Sequence, residues 1–146
     1  MPTGSCFCGA IRLEYTGQPL QVGICHCTDC RKLTSSTYSY CLVLPTANFA
    51  VRTGSPRSIA KTADTGNTIR NWFCGDCGTP LYGHRVHDDG RVLGDGVTIL
   101  RAGVLDDAQL LDEMRPEAEL FTERRMKWVG PVEGAGQVCG MLKISS

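Results

Sequence analysis

The sequence predicts a mainly β fold of short antiparallel strands that is held together by metal-bound cysteines. Segments with alternating or β-branched residues recur about every ten residues, which is typical of an all-β domain. The chain has 17 glycines and 7 prolines, and these favour many turns over long helices. Seven of its nine cysteines fall into three clusters of two, three and two residues. We expect roughly eight or nine strands.

The first half of the chain contains five predicted strands. Alternation of apolar and polar residues indicates the first, and an aromatic and branched run that stops at Pro45 indicates the third. The five predicted strands cover residues 10–15, 20–24, 38–44, 49–52 and 58–62. Residues 31–36 are predicted to form a polar turn, and the composition of residues 64–67 indicates another turn.

Three more strands are predicted further along the chain, over residues 68–73, 81–86 and 97–104. The segment Asp88–Gly90 predicts a hairpin turn. A short helix is predicted over Leu105–Met114, with Asp106 as its N-cap. In the tail, Trp128 is expected to be the largest apolar anchor, and the glycine-rich residues 130–140 are expected to form a loop.

Composition limits the class of protein. Residues 1–146 are the length of a single domain, and no linker or repeat suggests a second one. The 15 basic and 15 acidic residues balance, and no basic run is present, so a broad nucleic-acid footprint is unsupported. No apolar run approaches membrane length, and the N-terminus lacks a secretory pattern. We therefore expect a cytoplasmic protein whose cysteines bind metal rather than form disulfides.

The outer cysteine pairs predict a closed zinc site. Four thiolates complete a tetrahedral zinc and leave no position for a substrate, so this site is expected to be structural. Gly75 and Gly78 each directly follow a cysteine of the second pair, where the backbone must fold closely around sulfur. The four predicted ligands are Cys6, Cys8, Cys74 and Cys77.

The central run of Cys25, Cys27 and Cys30 predicts a second zinc with one open position. An open position distinguishes a catalytic or ligand-binding zinc from a structural one. Three thiolates make the site soft, so a thiol is the expected fourth partner, and the metal would lower the pKa of that thiol. The alternative is a fourth protein ligand, and the candidates are Cys41, Cys139, His84 and His87.

The residues beside this run suggest weaker roles. His26 is expected to be a surface residue next to the metal rather than a proton shuttle. Arg31 and Lys32 could meet a carboxylate of a peptide-like thiol, or they could be solvated turn charges. Unless one of them is the fourth ligand, Cys41 and Cys139 are expected to be small buried residues.

Three ordered motifs resemble the glutathione-dependent formaldehyde-activating enzyme family. They are G-S-C-F-C-G-A at residues 4–10, C-H-C-T-D-C-R-K at 25–32 and F-C-G-D-C-G-T-P-L at 73–81. Residues 103–107 and Trp128 fit the C-terminal half of the family, so the resemblance covers roughly residues 4–130. Phe7 departs from the family pattern, where many members have a polar residue, and residues 34–36 replace a commoner glycine-containing turn.

The resemblance implies an Mss4-like zinc-containing β fold with two zinc ions per chain. It implies a structural zinc on the outer two pairs and a catalytic zinc on Cys25, Cys27 and Cys30. The reaction it implies is condensation of glutathione with formaldehyde to S-(hydroxymethyl)glutathione, a carbon–sulfur lyase reaction in reverse. The family also includes non-enzymatic members such as centromere protein V. A non-catalytic thiol-binding or zinc-stabilised interaction module is therefore the alternative.

Overall fold

The computed structural model of the protein describes residues 1–62, 66, 68–86 and 96–140. Within these residues, eleven strands form a three-stranded and an eight-stranded sheet, and the helices are short. The predicted mainly β fold is confirmed. The predicted hairpin turn at Asp88–Gly90, His87 and most of the turn at 64–67 lie outside the described residues. No helix in the described part of the chain has the length and apolar character needed to cross a membrane.

The strands in chain order are β1 Thr3–Ser5, β2 Arg12–Tyr15, β3 Gln21–Cys25, β4 Ser39–Pro45, β5 Phe49–Thr53, β6 Arg57–Thr62, β7 Thr68–Phe73, β8 Pro80–Val86, β9 Val97–Arg101, β10 Ala118–Leu120 and β11 Gly136–Gln137. The α-helices are α1 Thr28–Thr34 and α2 Ala108–Glu113, and 3₁₀ turns occupy Thr46–Asn48, Ala102–Val104 and Thr122–Arg124. The small sheet has the order β1-β2-β5, and the large one has the order β11-β10-β3-β4-β9-β8-β7-β6. All pairs are antiparallel except those of β10 with β3 and β11, so the large sheet is mixed.

Three local predictions are wrong. The polar turn expected at residues 31–36 is largely helical, because α1 begins directly after Cys27 and ends only at Thr34. The strand expected to reach Val104 ends at Arg101, and the chain continues as a 3₁₀ turn. The N-cap of α2 is Asp107 rather than Asp106, since Asp107 accepts hydrogen bonds from two amides of the first turn.

The hydrophobic core lies between the two sheets. Strand pairing places Leu100 beside both Tyr82 and Leu42, and Leu42 beside Val22, so these residues form a row across the large sheet. Leu13 of the small sheet packs into the same cluster. Truncating a fully buried leucine such as Leu42 or Leu100 typically costs about 2–5 kcal/mol.

The opposite face of the large sheet carries polar residues. Successive residues of a strand point to opposite faces, so Cys41, Arg101 and Asn71 lie opposite the core-facing Leu42, Leu100 and Trp72. Cys41 pairs directly with Arg101 in the β4–β9 ladder. Because Cys25 ends β3 next to β4, this face also carries the first cysteine of the central run.

Two expectations about apolar anchors are also wrong. Trp128 is 76% exposed and lies in a turn-rich segment instead of the core. Cys139 is exposed, whereas Cys41 is buried as predicted. The tail is held elsewhere, by β10, which inserts between β3 and β11.

A buried Glu119–His26 pair fastens β10 to the central cysteine run. Both side chains are 1% exposed, and His26 Nε2 lies 3.0 Å from Glu119 Oε1. The expectation of a surface histidine is therefore wrong. The other carboxylate oxygen accepts hydrogen bonds from the Val132 amide and from Gln137. Burial opposes ionisation, but the bonds from Gln137, His26 and Val132 outweigh it and lower the pKa of Glu119 to about 2.

We predict that Glu119→Gln lowers the free energy of unfolding at neutral pH by about 2–3 kcal/mol, because charge-assisted hydrogen bonds are lost in a buried site. The stabilisation by the charge is present above the unfolded pKa near 4.5 and is lost as the pH falls towards 2. The difference in the free energy of unfolding between wild type and Glu119→Gln should therefore become smaller as the pH falls from about 4.5 to about 2. Urea unfolding at several pH values measures it. The exposed Glu117→Gln is the matched control, and an equal loss there would contradict the assignment.

Candidate metal centres

The fold brings the clustered cysteines into two groups. The sulfur atoms of Cys25, Cys27 and Cys30 lie within 4.8 Å of one another, and so do those of the outer four cysteines. All nine cysteines of the chain lie among the described residues, and none forms a disulfide. The arrangement is compatible with one closed and one open metal site.

Two similar turns build the four-cysteine cluster. Cys6 and Cys8 follow β1, and the turn closes when the Gly9 amide donates to the Cys6 carbonyl. Cys74 and Cys77 lie between β7 and β8, where the Gly78 amide donates to the Cys74 carbonyl. The Phe7 amide joins the two turns by donating to Thr79 Oγ1.

The glycines of these turns have different roles. Gly9 and Gly78 have φ angles of 82° and 80°, the left-handed region that glycine adopts without strain. Gly75 does not have a positive φ angle. A Cβ at Gly75 would lie 2.5 Å from Cδ of the exposed Arg57, so a larger residue there would displace only the arginine side chain.

The four-cysteine geometry fits zinc. The Sγ atoms of Cys6 and Cys8 are 3.6 Å apart, and those of Cys8 and Cys74 are 3.8 Å apart. A zinc with bonds of about 2.3 Å to four sulfurs has sulfur–sulfur edges of about 3.8 Å. Hydrogen bonds from Thr79 lower the pKa of Cys77 to about 5, which favours the thiolate that a metal requires.

The three-cysteine cluster forms where β3 meets α1. Cys25 is the last residue of β3, and Cys27 is the N-cap of α1, where its sulfur accepts a hydrogen bond of 3.3 Å from the Cys30 amide. Serine, threonine or aspartate oxygen usually performs this task. Cys30 lies in the first turn of the helix. One strand end and one helix start thus set all three sulfurs.

Among the described residues, no fourth ligand joins this cluster. Cys139 is exposed, and His84 Nε2 instead lies 2.9 Å from Thr98 Oγ1. Cys41 lies nearby but outside the cluster, and its sulfur accepts a hydrogen bond of 3.1 Å from Arg101 Nη1. The remaining candidate, His87, lies outside the described residues.

Arg101 is a site residue that the sequence analysis missed. Its Nη1 lies 3.9 Å from Cys30 Sγ, and its Nη2 donates to Asn71 Oδ1 at 3.3 Å. A Cβ at Gly83 would lie 2.9 Å from the same Asn71 oxygen, so glycine leaves room for this contact. The only sequence signal for Arg101 is its place at the end of an apolar strand. Its contact with Cys41 depends on the β4–β9 pairing, which joins residues sixty positions apart.

The environment of Cys30 favours its thiolate. Hydrogen bonds from the Cys25 and Cys27 thiols, together with the Arg101 guanidinium, lower the pKa of Cys30 far below its ordinary value, although burial opposes this. The neighbouring Cys27 and Cys30 sulfurs, together with burial, raise the pKa of Cys25, so Cys25 keeps its proton. The thiolate is the form in which a cysteine binds a metal.

An open cavity adjoins α1. Its volume is about 660 Å³, and its wall includes both cations that follow the third cysteine. The lining residues are Arg31, Lys32, Ser35, Ser36, Thr37, Met126 and Trp128. None of the three clustered cysteines lines this cavity, which is connected to them in sequence through Arg31 and Lys32.

Known proteins share both the sequence pattern and the fold. A curated Sordaria macrospora protein, named provisionally as a glutathione-dependent formaldehyde-activating enzyme, is 31% identical over 75 residues, which are 51% of this chain. The match spans 31% of the length of that relative. A crystal structure of a Rhodobacter sphaeroides protein aligns with a TM-score of 0.54 and 19% identity, over 78% of this chain and 96% of the other, and it supports the fold alone.

The family comparison covers most of the chain. The sequence profile described as glutathione-dependent formaldehyde-activating enzyme matches residues 1–124 of 146, a span that includes both cysteine clusters and Arg101. The chain belongs to the glutathione-dependent formaldehyde-activating enzyme family.

Proposed function

We propose that the protein is a cytosolic enzyme with two zinc ions that joins glutathione to formaldehyde, giving S-(hydroxymethyl)glutathione. The observation that carries the proposal is the cluster of Cys25, Cys27 and Cys30, which has three sulfurs and no fourth ligand among the described residues. The family to which the chain belongs supplies the two substrates. In this reaction a sulfur–carbon bond forms, the carbonyl oxygen takes the π electrons, and the thiol proton ends on that oxygen.

The chain's residues divide the work between two centres. Cys25, Cys27 and Cys30 would hold the catalytic zinc, which would supply a Lewis acid that stabilises the substrate sulfur as thiolate. Arg31 and Lys32 directly follow Cys30 in the sequence and line the cavity along α1, and they would bind the carboxylates of glutathione. Holding the sulfur beside the aldehyde is then the main catalytic contribution.

The four-cysteine cluster would hold the structural zinc. Its ligands come from turns far apart in the sequence, so a bound metal would close a loop of more than sixty residues. Closing a loop of this length removes conformational freedom from the unfolded chain. All four sulfurs are provided by the protein, so no position remains for a substrate.

The alternative function is binding without turnover. The uncatalysed addition of thiols to formaldehyde is facile, and non-enzymatic proteins with this zinc fold would retain the same two clusters. Rates of adduct formation at equal thiol and aldehyde concentrations, with and without protein, separate the two. An enzyme increases the rate in proportion to its concentration, whereas a binding module only withdraws thiol.

In the cobalt-substituted protein, we predict that glutathione increases the sulfur-to-cobalt charge-transfer absorption. The three-cysteine centre has a free tetrahedral position, and soft ligands favour a further sulfur there. S-methylglutathione, which cannot form a thiolate, should leave the absorption unchanged. If saturating glutathione leaves the charge-transfer absorption unchanged in protein confirmed to hold two metals, the open site is contradicted.

Serine substitutions should distinguish the two centres. Cys74→Ser should lose a metal and its cooperative thermal unfolding, because a structural zinc contributes folding free energy directly. Cys27→Ser should lose one metal and stay folded, since serine can still cap α1. Metal analysis and thermal unfolding test both, and Cys139→Ser is the matched control at an exposed cysteine outside the clusters. If Cys27→Ser unfolds the protein and Cys74→Ser does not, the structural and catalytic roles of the two centres are reversed.

Arg31→Ala should weaken the binding of glutathione by about 1–3 kcal/mol, the value of one charge-assisted hydrogen bond. Both metals should remain bound. Binding of 2-mercaptoethanol, which has no carboxylate, should not change. Titration of the cobalt protein measures both affinities. Arg12→Ala, at an exposed arginine paired with Asp106, serves as the control. An equal loss for both thiols would show that Arg31 acts on the metal centre instead of on the carboxylate.

A further inference from the structure

The guanidinium of Arg101 lies between two sulfurs on the polar face of the large sheet. Its Nη1 is 3.1 Å from Cys41 Sγ and 3.9 Å from Cys30 Sγ. Of these two cysteines, only Cys30 belongs to the three-cysteine cluster. An arginine is never neutral at physiological pH, so a permanent positive charge adjoins the open metal site.

The position of this charge is fixed from the other side. Arg101 Nη2 donates to Asn71 Oδ1 on β7, and the absence of a side chain at Gly83 gives that amide its space. The side chain of Arg101, which is on β9, is therefore held by Cys41 of β4 and Asn71 of β7, two other strands of the same sheet. A flexible surface arginine would lose much of its effect to solvent, but a partly buried one held by a neutral partner keeps it.

Charge counting shows what the arginine could select. A divalent metal with three thiolates carries one negative charge, and a fourth thiolate raises it to two. A neutral fourth ligand, such as water or imidazole, leaves the charge at one. A positive charge about 4 Å from one of the sulfurs therefore assists an anionic ligand far more than a neutral one.

We propose that Arg101, oriented by Asn71, makes the three-cysteine centre selective for an anionic fourth ligand over a neutral one. The inference rests on the proposed function in taking the thiolate as the natural anion. It extends that function because it assigns a determinant of ligand choice to a residue that coordinates neither metal nor substrate.

The test uses the cobalt-substituted protein and three small ligands that lack carboxylates. The anions are azide and the thiolate of 2-mercaptoethanol, and the neutral ligand is imidazole, measured at a pH well above its own pKa. Arg101→Met removes the charge and keeps the length, whereas Arg101→Lys restores the charge. Arg70→Met is the matched control, because Arg70 is next to Asn71 on β7 but points to the other face and binds Ser58.

In Arg101→Met, both anions should bind at least about tenfold more weakly, while imidazole affinity changes less than about threefold. Arg101→Lys should recover most of the preference for anions, and Arg70→Met should keep all of it. A purely structural role would weaken the three ligands alike, and this result, or an unchanged anion-to-imidazole ratio, would overturn the proposal. If Arg101→Met does not fold, Asn71→Leu decides, with a smaller loss of the same sign expected.

The outcomes also separate this proposal from the enzymatic function. Wild-type protein that takes azide and imidazole but no thiol would contradict the thiol function, and the anion-to-imidazole ratio of the variants would still decide the role of Arg101. If the wild-type protein binds thiols and Arg101→Met has the same anion-to-imidazole ratio as the wild type, only the role of Arg101 is refuted. Wild-type protein that takes no added ligand at all would overturn both.

Discussion

The convergence of two cysteine turns is the constraint on which the rest of the structure depends. Cys8 and Cys74 are 66 positions apart, yet their sulfurs are 3.8 Å apart. The turn after β1 therefore meets the turn between β7 and β8, where the Phe7 amide donates to Thr79 Oγ1 and joins the small sheet to the far part of the large one. The core between the sheets forms around this closure, because Cys6 and Cys74 are themselves part of the hydrophobic cluster.

The second centre differs from the first in how it is built. Its three sulfurs come from one strand end and one helix start, and the charge and hydrogen bonds that surround them come from distant strands. Arg101 reaches it from β9, and Glu119 holds the intervening His26 from β10. A local motif thus provides the ligands, while the sheet provides their electrostatic setting.

This division explains what the sequence could predict. Both cysteine clusters and most strands were predicted, since ligand spacing and alternation are local patterns. The roles of Arg101 and Asn71 were not predicted, because their contacts with each other and with the cysteines depend on the register of β9 and β7 in the sheet. Helix α1 was missed because it buries no residue and so has no apolar periodicity. Trp128 was wrongly predicted to be a buried anchor because the prediction rested only on the size of its side chain, which does not indicate burial in a turn-rich tail.

The positions of the two tryptophans give the protein separate optical reporters. Trp72 is stacked on Tyr82 at a centroid distance of 5.8 Å and packs against the core, so its emission follows the integrity of the sheet. Trp128 stands in solvent on the wall of the cavity beside Arg31, so its emission is sensitive to what enters there. Acrylamide reaches the second indole far more readily than the first. Collisional quenching therefore distinguishes occupation of the cavity from loosening of the fold in an unlabelled chain.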